Sequence, residues 1–181
     1  MRSREGSRSR RSPRAAIYAL IVLTDGLHIA IVPLLPRFAG RFSLGGVAAG
    51  ALLAGPGVAM ALVSLPGGRL VDRFEPRRVA VCSAVALAIA AAGQAAAPTF
   101  AVLMGARLLG GLAMGLAWIS AAAWIVRVVA PEDSARALGA LVTAAGAGIV
   151  GGPVVAGLTA QWLGTAAPFL LIATASAVVA G

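Results

Sequence analysis

Three residues that can carry charge lie inside the long apolar stretches of this 181-residue chain: Asp25, His28 and Arg107. An ionisable side chain in hydrocarbon costs about 2.5–3.5 kcal/mol or more, so each is a candidate functional residue. Asp25 and His28 are three positions apart, which on a helix places them on one face, a turn apart. At about 1.5 Å of rise per residue, Asp25 sits about 15 Å in from Ala15 and His28 about 20 Å in. Arg107, counted inward from Phe100 at the opposite edge, falls within about 5 Å of the same level near the midplane. Two chemistries fit that placement. One is a structural ion pair between Asp25 and Arg107, with His28 filling space. The other is a protonatable cluster lining a polar cavity, in which an apolar surrounding and a guanidinium push the charge state of Asp25 in opposite senses.

Other chemistries are excluded by what is missing. The single cysteine, Cys82, stands in an apolar stretch, so neither a disulfide framework nor a thiolate metal cluster can be built, and no metal ligand set is expected. An intramembrane serine protease of the rhomboid type needs a serine in a G-x-S setting and a later histidine as its base. No G-x-S occurs and the lone histidine, His28, is near the start of the chain, so no catalytic residues are expected.

These residues must be held by membrane helices. Hydrophobic residues make up 60% of the chain, mean hydropathy is +0.93, and only 12% of residues are charged. A soluble domain of this length has too little interior for so much apolar surface. Abundant alanine with 23 glycines and 5% aromatics describes helices packed through small residues. A bilayer span needs about 20 apolar residues, and breaks at charged and proline positions divide the chain into six of them. They are expected at about 15–36, 43–66, 79–97, 100–129, 137–158 and 165–181, after an arginine-rich tail at 1–14. The expected class is all-α membrane protein, with the lipid bilayer as its first partner.

All 15 basic residues are arginine, and their distribution orients the chain. If the N-terminus is cytoplasmic, the inner segments 1–14, 69–78 and 127–136 hold twelve of them and the outer segments hold only Arg37 and Arg41. The net charge of +9 is therefore that of a lipid-facing tail and inner loops, and not of a nucleic-acid surface. Asp25 interrupts the first apolar run and no small-x-small cleavage site closes it, which favours an uncleaved first span over a signal peptide. The expected location is the cell membrane.

Several stretches carry recognisable spacing. The second inner loop reads Gly68-Arg-Leu-Val-Asp72-Arg73-Phe-Glu75-Pro76-Arg77-Arg78. It resembles the major facilitator superfamily signature G-x-L-x-D-R-x-G-R-R, with Glu75 and Pro76 where the pattern has glycine and arginine. Arg107-Leu-Leu-Gly110-Gly111 is similar to the family's fourth-helix pattern R-x-x-Q-G, with glycine at the glutamine position. The fifth span, Gly139-x8-Gly148-x3-Gly152-Pro153-x2-Ala156-Gly157, resembles the antiporter branch. Asp25 followed by Val32-Pro33-Leu-Leu-Pro36 is similar to the first helix of drug–proton antiporters.

The resemblance spans residues 15–181 and implies six helices arranged as two inverted three-helix repeats, half of a twelve-helix alternating-access transporter. It implies cavity-facing first and fourth helices, a conformational role for Asp72, a small-molecule substrate moved outward, and a proton gradient as energy source with no cofactor. The remaining partner would be a C-terminal half or a second chain. The competing expectation is a non-transporting remnant or a module that must assemble with another half. The arginine bias predicts that reporter fusions at Ala97 and at Pro131 read outside and inside respectively. The opposite pattern would overturn the six-span topology.

Overall fold

The computed structural model describes residues 13–181, so all but the end of the arginine-rich tail lies outside the described residues. Helices, turns and short loops make up everything described. The first span is broken in two: α1 (Pro13–Ala30) passes through a 3-10 turn at Val32–Leu34 into α2 (Leu35–Phe42). Pro33 causes the break, because it lacks the N–H that would continue the helical ladder. α2 stops at Ser43, whose φ of 51° is left-handed. The chain continues through α3 (Gly46–Arg73), α4 (Pro76–Ala96), α5 (Phe100–Val128), α6 (Pro131–Leu163) and α7 (Ala167–Ala180).

Local chemistry sets the helix starts. Pro76 and Pro131 occupy the first position of α4 and α6, where the missing N–H is harmless. Thr99 caps α5 by accepting a hydrogen bond from the Val102 N–H at 3.3 Å. Several helices outrun the spans expected from sequence. α3 passes through Pro66 and continues to Arg73, and α6 begins at Pro131 with Glu132 and Asp133 in its first turn. Acidic residues are favourable there because they face the positive end of the helix dipole. Among the described residues five segments, counting α1 through α2 as one, are long and apolar enough to cross a membrane. α7, with 14 residues, is about 21 Å long and shorter than the hydrocarbon core.

α5 is the hub. α3 packs along one side of it and α4 along the other, while α1 lies along α6 and also reaches α5 and α7, and α4 supports α7. Two of these contacts are backbone against backbone. A Cβ on Gly111 of α5 would meet the Pro56 Cα of α3 at 2.7 Å, and one on Gly152 of α6 would lie 2.6 Å from the Gly26 carbonyl oxygen of α1. Gly148 abuts the Val22 carbonyl in the same way. Ser83 donates to the Ala113 carbonyl at 2.7 Å, fastening α4 to α5. Away from these seams, Val58, Leu62 and Leu65 of α3 and Val150, Val154 and Leu158 of α6 are exposed.

Glycines of one composition thus serve two different purposes. Gly111→Ala is expected to destabilise by about 1–3 kcal/mol or more, since the new methyl would overpack the Pro56 backbone. Gly139→Ala meets open space and should instead stabilise α6 by about 0.5–1 kcal/mol. Thermal unfolding of the two purified variants in one detergent checks the contrast. Equal midpoints would mean that the α3–α5 seam is looser than described.

Candidate functional site

Asp25 and Arg107 are both buried, at 5% and 2% exposure, but they do not form the ion pair that their depths suggested. Asp25 is held by neutral donors. The Trp118 indole Nε1 donates to its Oδ2 at 3.2 Å, and the Thr24 hydroxyl lies 3.5 Å from the same oxygen. Thr24 also donates to the Ile21 carbonyl at 3.0 Å, so its single proton is shared between a near and a more distant acceptor.

Arg107 spends its donors on backbone carbonyls. Its Nε donates to Leu52 at 3.1 Å, and its Nη1 donates to His28 at 3.0 Å and to Leu27 at 3.5 Å. Each acceptor has a reason to be free. Leu52 lies four residues before Pro56, which has no N–H to offer it. Leu27 and His28 belong to the last four residues of α1, whose carbonyls have no partner in their own helix. The depth count missed this because it compared distances along the membrane normal and could not say which carbonyls were orphaned. The expected Asp25–Arg107 pair is replaced by two neighbouring arrangements, one acidic and one basic.

Thr24 borders both. With Leu27, His28, Pro56, Gln94, Arg107 and Gly110 it lines a small cavity between α1, α3, α4 and α5. Gln94 is 2% exposed, and neither its amide oxygen nor its nitrogen has a partner among the described residues. The same holds for His28 Nδ1 and for the Nη2 of Arg107. A larger groove of about 460 Å³ opens two turns before Asp25 on the same face of α1. Tyr18, Trp124, Ile125, Asp133 and Arg136 line it, and the Tyr18 hydroxyl donates to Ala137 at 3.4 Å. Its size lies in the range of small-molecule sites, about 300–1,000 Å³.

Residues 15–181 match the sequence profile of the Major Facilitator Superfamily. The chain belongs to that family. This facilitator is therefore a multi-pass membrane protein of a transporter family and not an enzyme. It is 32% identical over 154 residues to the multi-drug resistance efflux pump PmrA of Streptococcus pneumoniae, covering 83% of this chain and 38% of that protein. A PmrA homolog of Lactococcus lactis is 32% identical over 78% of this chain and 36% of its own length. A chloramphenicol efflux pump of Mycobacterium tuberculosis is 32% identical over 64% of this chain and 28% of its own. The chain thus spans between 28% and 38% of the length of these curated relatives.

The facilitator's loop motif lies on the rim, apart from the buried groups. Gly68 faces open space, Asp72, Arg73 and Arg77 are exposed, and the Arg73 guanidinium lies 5.8 Å from the Phe74 ring centroid. Arg78 and Glu75 form an exposed pair at 3.9 Å, a contact of little energetic weight. Of the α6 motif, Gly148 and Gly152 press on α1 beside Asp25, Pro153 is half-buried, and Gly139 and Gly157 meet nothing. Trp118, which bonds Asp25, and Gln94, which lines the cavity beside Arg107, are the polar residues that sequence reasoning missed. Trp118 follows Arg107 by eleven residues, three helical turns on one face, which is the signal that could have found it. Gln94 is an amide near the end of an otherwise apolar span.

Arg107→Lys tests the carbonyl-bracing role of the guanidinium. An ammonium is a point charge and cannot reach Leu52 and the α1 carbonyls together. Lysine is expected to lower the unfolding midpoint and alanine to lower it further, at about 1–3 kcal/mol for each carbonyl left without a donor. A lysine variant as stable as wild type would show that one of the two directions contributes nothing.

Proposed function

We propose that this chain is the six-span half of a proton-coupled efflux transporter that works by alternating access, with Asp25 as the proton carrier. The observation that carries the reading is the company Asp25 keeps: a buried carboxyl held by an indole N–H and a hydroxyl. Neutral donors of this kind can bond a carboxylate oxygen or the carbonyl oxygen of the protonated acid, so either charge state retains a partner. A guanidinium partner would have fixed the charged form. The groove lined by Tyr18, Trp124, Asp133 and Arg136 is the approach for substrate, and its aromatic walls with mixed charges suit an amphipathic drug or metabolite.

The arrangement as two inverted repeats is supported by a correspondence of contacts. α1 lies along α6 as α5 lies along α3, which is what an exchange of the first three spans with the last three requires. Each outer partner carries a Gly-Pro step, Gly55-Pro56 in α3 and Gly152-Pro153 in α6. Each step packs at a glycine of the inner helix, Gly111 or Gly26. Efflux as the direction is supported by the similarity to efflux pumps, and a cytoplasmic N-terminus by the arginine bias. A second half, on the same polypeptide or another, completes the cavity. His28 acts beside Asp25 and Arg107, and Asp72 with Arg73 biases the conformational equilibrium from the rim.

The test is proton release on substrate binding, in the transporter complete with its second half. Wild type is expected to release protons, and Asp25→Asn to release fewer and to lose pH-driven transport while remaining folded. Equal release from both proteins would move the coupling acid elsewhere.

A further inference from the structure

The pattern R-x-x-Q-G has a glutamine where this chain has Gly110, and the space beside Gly110 is not empty. A Cβ built on Gly110 would lie 3.8 Å from Nε2 of Gln94, 3.7 Å from Cβ of Ala90 and 3.8 Å from Cδ2 of Leu27. α4 thus brings an amide into van der Waals contact with position 110. Gln94 is nearly fully buried, both ends of its amide are without a partner, and it lines the same small cavity as Arg107, His28 and Gly110. Burying an amide in an apolar bundle is unfavourable unless something bonds it. Arg107 has three of its bonds accounted for, with Nη2 left over. Two unmet polar groups, one able to accept and one able only to donate, therefore share one cavity. About 10 Å³ of that cavity is open to the centre of a water molecule, which is room for about one water.

We propose that Gln94 is a positioning residue for Arg107: its amide takes the place of a side chain at position 110 and, through a single bound water, completes the hydrogen bonding of the guanidinium. The water accepts from Arg107 Nη2 and donates to the Gln94 carbonyl oxygen and to His28 Nδ1. It ties α4 to α1 and α5 at the level where Arg107 already ties α3 to α1. The ionisable groups around this water are His28 from α1 and Arg107 from α5, while α3 and α4 present Pro56 and Gln94. Asp25 does not line the cavity, whereas its neighbour Thr24 does. The inference deepens the reading of this site as transporter machinery, but its central test does not depend on transport.

That test is a mutant cycle on the full protein in detergent or lipid nanodiscs. Gln94→Leu keeps most of the volume and removes the amide; it is expected to lower the unfolding midpoint by about 2–4 °C. Gly110→Gln alone should also lower the midpoint, because two amides then compete for one cavity. Gly110→Gln placed in the Gln94→Ala background should instead raise it, restoring the amide from the other helix. That reversal of sign is the signature of a shared site. Additive effects, or a Gln94→Leu variant as stable as wild type, would overturn the proposal, and the leucine variant keeps the test open if the alanine one does not fold. The pH of half-maximal transport, measured on the same variants, is expected to shift in Gln94→Leu and return in the swapped double variant. A lost volume would not move that value in this way. A reversal in stability with no movement of the transport profile would leave Gln94 as the partner of Arg107 and count against the transport reading of the site.

Discussion

A guanidinium cannot be left unmet inside a bundle of apolar helices, and the bundle is arranged around meeting it. Arg107 reaches carbonyls that their own helices cannot use: Leu52, freed by Pro56, and Leu27 and His28 at the end of α1. The proline and the arginine are therefore complementary. Without Arg107 the Leu52 carbonyl would be a buried orphan, and without Pro56 that carbonyl would already be engaged. The same device recurs at lower stakes. Arg37 donates to Ala160 in the last turn of α6 at 2.9 Å, and Arg127 to Val71 in the last turn of α3 at 3.4 Å. Cations at helix C-termini also face the negative end of the dipole, so each contact gains twice from one placement. An all-arginine basic set suits this use, because the planar fork can address carbonyls in two directions.

Reaching those carbonyls requires that helix axes come close, and the glycines make that possible. Gly111 lets α5 approach Pro56, one turn from the carbonyl that Arg107 takes. Gly148 and Gly152 let α6 approach α1 at Val22 and Gly26, on either side of Asp25 in depth. Without a hydrophobic drive between helices in lipid, such close packing and the interhelical hydrogen bonds are what hold spans together. The seams also concentrate the Gly-Pro steps, where helix hydrogen bonding is interrupted and bending is least costly. The bundle is thus most tightly packed and most easily bent at the same positions.

Much of this was legible in the sequence, and the limits have physical causes. Asp25, His28 and Arg107 stood out because charge in hydrocarbon is rare whatever the fold. Their pairing did not, since which carbonyls are orphaned depends on where α1 breaks and on which helix faces Pro56. Trp118 was hidden because an indole is unremarkable in an apolar span until a carboxyl is found beside it. Gln94 was hidden because an uncharged amide leaves hydropathy almost unchanged. The glycine motif of α6 read as one feature, yet Gly148 and Gly152 are packed and Gly139 and Gly157 are open. Spacing alone cannot separate these, because the partner helix decides which turn is pressed.

The separation of Asp25 from Arg107 carries a consequence for how structure and chemistry share the same few residues. Had the two formed a buried pair, each would have depended on the other, and protonating the acid would have left an uncompensated cation. Here the cation is satisfied by carbonyls whose dipoles do not titrate, so the brace between α1, α3 and α5 is indifferent to the charge on Asp25. The acid in turn is bonded by Trp118 and Thr24, donors that serve both of its forms. Thr24 lies beside both, bonded to Ile21 and near Asp25 through its hydroxyl and lining the cavity that also holds Arg107. The hydrogen bonds of the guanidinium and those of the carboxyl thus have no atom in common, and the contacts by which Arg107 ties α1, α3 and α5 together do not include Asp25.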